Sequence, residues 1–321
     1  MTFTINEEYQ NKTVLVFLRS VLKISSNALA ALKRDEKGIT VNDNHVTVRY
    51  VLKYGDIIEI NEKDSENDKN EFLLPVDIPI DVLFENSDII LINKPPYMPT
   101  HTSHNHTDDT LANALAYRYR NTPFVFRPIG RLDRNTSGIS LIAKHSIAAS
   151  YLFYARQKDL IHKKYIAILC GKLDCDGEWH TVETYMKRQE ESIIIRCVGT
   201  AEDPDAFNAI TKYKVLFSNE SISIVEAIPI TGRTHQLRVH FAHIGHPILG
   251  DDVYGEASDI IGRHALHAAQ LSIPLPYNGE KLETIAPIPK DMLSALENIL
   301  GENEYNTCKK LLNINIRNLY E

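Results

Sequence analysis

A chain of 321 residues, 43% of them apolar, has the composition of a globular protein with one large domain, or a large domain and a small one. Its formal net charge of −7 argues against a protein that coats nucleic acid by bulk attraction, although a cleft can still focus positive potential locally. No apolar run approaches ~18 residues, so neither a membrane-spanning helix nor a membrane partner is expected.

Polar residues and two acids, Glu7 and Glu8, precede the first apolar stretch, the wrong order for a secretory signal. The four cysteines form no C-x-x-C pair, so reduced thiols and a cytoplasmic location are expected. Residues 1–60 read as a small α/β module. "TVLVFLRSVLKISSNALAALKR" places apolar residues at helical spacing, with a break at "ISSN" where Ser25 or Ser26 can cap a second helix. "GITVND" and "VTVRYVLKYGDIIEI" read as short alternating strands. Residues 61–77 open with a charged run almost without apolar content and are assigned to a linker. Residues 78–321 form the large domain. "DVLFENSDIILINK" predicts two strands about a turn, "GISLIAK" a buried strand, and "HSIAASYLFYARQKD" a helix with Ile147, Tyr151, Tyr154 and Ala155 inward. "KYIAILCG", "ESIIIRCV", "AITKYKVLFS" and "ISIVEAIP" predict further strands; in the third, Ala209, Thr211, Tyr213, Val215 and Phe217 share a face. "HQLRVHFAHIG" predicts a helix ending at Gly245, and Asp291 is positioned to cap "MLSALENIL". The fold class is therefore α+β, with a mostly antiparallel mixed sheet and flanking helices. No phosphate-binding glycine loop occurs.

Three stretches carry candidate chemistry. In "GRLDRNTSG" Asp133 lies between Arg131 and Arg134 and precedes a tight turn into a strand. It reads either as a turn residue or as a carboxylate held charged by nearby cations. "TGRTHQLRVHFAHIGHPILGDDVYG" crowds Arg233, Thr234, His235, Gln236 and Arg238 at a helix start. That density of donors suits an anionic ligand or a buried carboxylate better than a solvated face. His240, His243 and His246 follow, but their spacing lacks the H-E-x-x-H pattern, and no metal is assigned. In "HKKYIAILCG" Tyr165 opens a strand after Lys163 and Lys164. The tyrosine either packs or stacks on a base while lysines meet phosphate.

These stretches, in this order, resemble the motifs of the RluA-type pseudouridine synthase family. "ILINKPPYMPTH" and "RHALHAAQLSIPLP" extend the resemblance over roughly residues 78–290. The first 60 residues resemble an alpha-L RNA-binding module more weakly. The resemblance implies an isomerase of uridine in RNA, with ribosomal RNA the first expectation and transfer RNA the second. It implies Asp133 as the essential carboxylate, Arg238 as its partner and Tyr165 against the uracil. By the same resemblance Arg131 is expected to help hold the target out of its stack, with Arg134, Lys163, Arg233, His235 and Gln236 as further RNA-binding candidates. Where the family has a histidine before the arginine, this chain has Gly130.

The chemistry fits independently. Breaking a glycosidic bond passes through an oxocarbenium-like state that an ionised carboxylate can stabilise or trap. A guanidinium ~4 Å away offers about 4 kcal/mol at an effective dielectric of 20, so a buried aspartate needs such a partner. The rearrangement neither gains nor loses electrons, so no cofactor is expected. A monomer is expected. An RNA-binding relative without catalysis and a metal-dependent hydrolase using the histidines remain the alternatives.

Overall fold

The structure is a computed structural model that describes residues 1–61, 73–122, 124–192 and 194–317, with side chains of the last helix described through residue 312. Most of the linker assigned to residues 61–77 lies outside the described residues. The chain begins with β1 (Thr2–Thr4), α1 (Val14–Ser20), α2 (Ser26–Arg34), β2 (Ile39–Val41), β3 (Asn44–His45) and β4 (Ile57–Ile60). Ser25 is the α2 cap, its hydroxyl accepting from the Ala28 N–H at 3.2 Å. Asn42 and Asp43, both at positive φ, turn β2 into β3, as a two-residue hairpin requires. The four strands form one sheet in the order β1-β4-β2-β3. The alternating stretch 46–50, predicted as a strand, is not one. The Val48 and Tyr50 carbonyls instead accept from the Leu15 and Val14 N–H groups, which the start of α1 leaves without helical partners.

The second sheet follows from β5 (Asp81–Glu85), β6 (Ile89–Lys94), α3 (Leu111–Arg118), β7 (Arg127–Pro128), β8 (Ser137–Ala143), α4 (Ser146–Gln157), β9 (His162–Cys170), β10 (Trp179–Arg188), β11 (Arg196–Gly199), β12 (Phe207–Ser218), β13 (Ile222–Pro229), α5 (Gln236–His243), β14 (Leu266–Pro274), β15 (Lys281–Ile285), α6 (Lys290–Ile299) and α7 (Glu302–Arg317). Its path runs β11-β10-β12-β13-β9-β14-β8-β6-β5, with β15 beside β14 and β7 beside β8. Every pairing is antiparallel except β14 with β8. That one parallel junction welds two antiparallel halves into the expected α+β mixed sheet.

Three details differ from the sequence reading. β10 was not predicted, although Val182, Thr184 and Met186 are buried while Thr181, Glu183 and Tyr185 are exposed, the period of a half-buried strand. β14 is buried along almost its whole length, and polar His267, Gln270 and Ser272 hide it from an apolar pattern search. Asp291 does not cap α6: Pro289 occupies that position, and the Asp291 carboxylate pairs with Arg263 at 2.6 Å. Helix α5 lies on the sheet through Leu237 and Phe241, which join Ile166, Tyr213 and Val225 in the largest core. Burying each such side chain contributes roughly 1.5–3 kcal/mol. Among the described residues no helix is long and apolar enough to cross a membrane.

Candidate active site

The junction of β14 and β8 sets the site. Across the sheet Gly138, Ala268, Tyr165 and Ala227 fall in one row. A side chain at Gly138 would sit 2.3 Å from the Ala268 carbonyl oxygen, and φ there is +110°. Only glycine lets the two strands approach so closely. The loop carrying Asp133 leads into β8 immediately before this row, so Asp133 and Tyr165 are delivered to the same edge by rigid strands.

Behind Asp133, side chains from other segments fasten the loop backbone. Thr100 donates to the Leu132 carbonyl at 3.0 Å, Lys94 to the Arg134 carbonyl at 3.1 Å, and Arg263 to the Asn135 carbonyl at 3.1 Å. Thr136 and Ser137 bond to His264 and His267 at 2.8 and 2.9 Å. Burial pushes these imidazoles down to about 3 and about 4, so both are neutral partners at pH 7. Lys94 is fully buried, and its ammonium also donates to the Pro95 and Met98 carbonyls. Burial and the Arg263 charge draw it down to about 7, against the pull of Asp133.

In front, Asp133 is half-buried rather than buried, its side chain 29% exposed. One carboxylate oxygen, Oδ2, faces Arg238 Nη1 and His235 Nε2, each at 3.9 Å. The expected Asp133–Arg238 pairing is thus present but long. The tighter partner of Arg238 is Asp251, which accepts from Nε and Nη2 at 2.7 Å each. Asp251 has no exposed surface, and it also accepts from the Val253 and Tyr254 N–H groups. Burial opposes its charge, but the bonds from Arg238 prevail and hold the carboxyl below the usual range. The bidentate pair leaves Nη1 as the guanidinium edge turned toward Asp133. Tyr254 lies under Arg238, 5.0 Å from ring centre to guanidinium, and its hydroxyl meets His235 Nδ1 at 2.8 Å. His235 precedes α5 in the left-handed region, φ 59°, rather than lying within the helix as predicted. Burial pulls its imidazole down while Asp133 pulls it up.

Strand alternation separates the two lysines. Lys164 points away and pairs with Glu226 at 2.7 Å, so it is not free for a ligand. Lys163 shares the Tyr165 face. Burial and the charge of Arg156 bring the Lys163 amine down to about 8. Burial, then the charge of Asp133, pushes the Tyr165 phenol up, so it rests protonated.

Of the remaining candidates, Arg131 and Arg134 are exposed on the Asp133 loop. Arg233 stacks on Phe207, 5.1 Å from the ring centre, and with Lys187, Arg188 and Arg196 lines a cleft of about 470 Å³. Gln236 corrects the expectation of an RNA contact. It is buried; its carbonyl accepts from Thr231 and the Arg233 N–H, and its amide donates to the Ile210 carbonyl and Thr211. All four of its bonding positions are filled inside the protein, so it braces the loop before α5. The histidine series diverges: His240 bonds to Thr184, His246 donates to the Cys170 carbonyl, and His243 is exposed. Sequence reasoning missed Asp251 as the holder of Arg238, and it missed the approach of Arg156 to Lys163. The first sits in an acidic pair, "DD", beside a tyrosine, a string with no fixed meaning alone.

Comparison with known proteins gives a concordant result. A family model described as RNA pseudouridylate synthase matches residues 88–243. The chain is 37% identical over 285 residues to a Bacillus subtilis protein named uncharacterized RNA pseudouridine synthase YjbO, covering 88% of this chain and 96% of that one. It is 36% identical to ribosomal large subunit pseudouridine synthase D of Haemophilus ducreyi, covering 76% and 77%. Among solved structures, human RNA pseudouridylate synthase domain containing 1 superposes with a TM-score of 0.53 at 28% identity, covering 65% of this chain and 83% of that one.

Proposed function

The chain belongs to the RluA-type RNA pseudouridine synthases, isomerases that act on RNA, and from that premise we propose that it converts uridines of large-subunit ribosomal RNA to pseudouridine through the Asp133 carboxylate. The observation that carries the reading is the placement of Asp133 Oδ2 before Arg238 and His235, beside buried Tyr165.

In the reaction the bond from C1′ to N1 breaks and one from C1′ to C5 forms. The C5 proton leaves and N1 gains one, so nothing is added or lost overall. Asp133 stabilises or traps the cationic sugar. Arg238, locked by Asp251, presents one guanidinium edge to that carboxylate without reorganising as charge develops. Tyr165 rests as a neutral phenol, suited to packing against uracil, and it lies close enough to Asp133 for their charges to interact. Taking the uridine out of its stack costs a few kcal/mol, and an aromatic face repays part of it. Arg131, Arg134 and Arg233 then meet the surrounding strand. The relative named for the large ribosomal subunit supports the choice of RNA.

The first 60 residues supply a second RNA contact in this reading. They dock on α4, whose Ile147 joins their core, and Lys23 lies 4.9 Å from the Tyr154 ring centre. The test is pseudouridine mapping of total RNA from cells with and without the gene, and with the gene carrying Asp133→Asn. Specific large-subunit sites should vanish in both altered strains. Loss of transfer-RNA sites instead would reject the ribosomal assignment, and no loss at all would reject the activity.

A further inference from the structure

Arg156 ends α4 exposed, with no acidic partner among the described residues. The place of its guanidinium is nonetheless specific. A side chain at Gly232 would meet Nη2 at 3.0 Å, and one at Gly130 would meet Nη1 at 3.9 Å and Lys163 Nζ at 3.7 Å. Arg156 thus spans two loops, the one carrying Asp133 and the one leading into α5, with Lys163 beside it. Both loops offer glycine where a side chain would contact the cationic groups. Gly130 adopts φ +88°, a conformation that L side chains rarely adopt.

Lys163 also has no hydrogen bond or ion pair to an acid among the described residues, and the Arg156 charge disfavours its own. Two cations facing each other without a counterion repel, and an anion between them removes the repulsion. The anion is placed by its neighbours. Arg156 acts electrically on Tyr165, and Gly130 stands three residues before Asp133. On the other side, Gly232 and Arg233 line the cationic cleft of about 470 Å³. A strand leaving the site toward that cleft passes Arg156.

Resting on the activity proposed above, we infer that Arg156 and Lys163 clamp a backbone phosphate of the RNA adjoining the target uridine. The clamp fixes the strand where it leaves the stack, so the target enters in one register. It also makes binding depend on the Lys163 proton, since a bound phosphate favours the charged amine.

The test uses a synthetic RNA oligomer spanning a mapped uridine, with full-length protein carrying Asp133→Asn so that the RNA stays unconverted. Adding Arg156→Ala should weaken binding about tenfold near 0.1 M salt and lower the salt slope by about 1, the signature of one lost phosphate contact. Arg156→Lys should recover most of the slope. A neutral methylphosphonate at one flanking linkage should weaken binding to protein with Arg156 and weaken it less in the Arg156→Ala protein, where Lys163 alone still meets that linkage. An unchanged slope, or equal losses at every linkage in both proteins, overturns the clamp. Failure of protein with Asp133 intact to convert the oligomer would instead reject the activity, and the two failures are read separately.

Discussion

The back and the front of the site use cations in opposite ways. Behind Asp133, Lys94 and Arg263 are buried and bonded to loop carbonyls, and beside it Arg238 is buried and held bidentate by Asp251. In front, Arg156 and Lys163 have no acidic partner among the described residues, while Arg131 is exposed. A buried cation with its bonds filled sets geometry; a cation at the mouth with none attracts an anion. The same residue types thus build a rigid frame and leave unpaired positive charge at the mouth in a protein whose net charge is −7.

Three measurements would break or sharpen this contrast. The largest effect should follow Asp251→Ala, which strips the buried Arg238 guanidinium of both its short bonds and leaves it only the 3.9 Å approach to Asp133. The expected loss is about 3–5 kcal/mol of stability in denaturant unfolding. A loss under about 1 kcal/mol would show that Arg238 does not depend on this partner. Next is Lys94→Met, which orphans three loop carbonyls while sparing every group at the mouth. Displacing the Asp133 loop by ~1 Å can cost about 10²-fold in rate. Turnover should fall by about that factor with RNA affinity within threefold. Equal losses of both would place Lys94 among the RNA contacts.

The smallest effect concerns pH. The Lys163 amine lies at about 8 when folded, against 10.5 ordinarily. It is charged below that value, so RNA affinity should fall a few fold as pH rises from about 7 to 9. Folding responds with the opposite sign: between about 8 and 10.5 the unfolded chain binds more protons, and stability rises with pH. Arg156→Ala removes the repulsion and should move the affinity loss to higher pH. A flat affinity profile in the unaltered protein would remove Lys163 from the front.

The parts of the candidate site that lie in contiguous strings were legible in the sequence. Asp133 with its flanking arginines, Tyr165 after its lysines, and Arg238 at a helix start could each be read locally. What it hid depends on tertiary approach. Asp251 finds Arg238 across a loop, and Arg156 looks like a solvated helix end until Gly130 and Gly232 close around it. Gln236 looked like a ligand donor because burial is invisible in a polar string; the same blindness concealed β14. The alternation of β10, by contrast, is legible in the sequence itself.

The central claim is that the Asp133 carboxylate performs the chemistry. RNA transcribed with uridine tritiated at C5 releases tritium as pseudouridine forms, because that hydrogen must leave. Purified unaltered protein should release it from large-subunit ribosomal RNA, and Asp133→Asn protein should release none while binding the same RNA within a few fold. Sustained tritium release by purified Asp133→Asn protein would contradict the account.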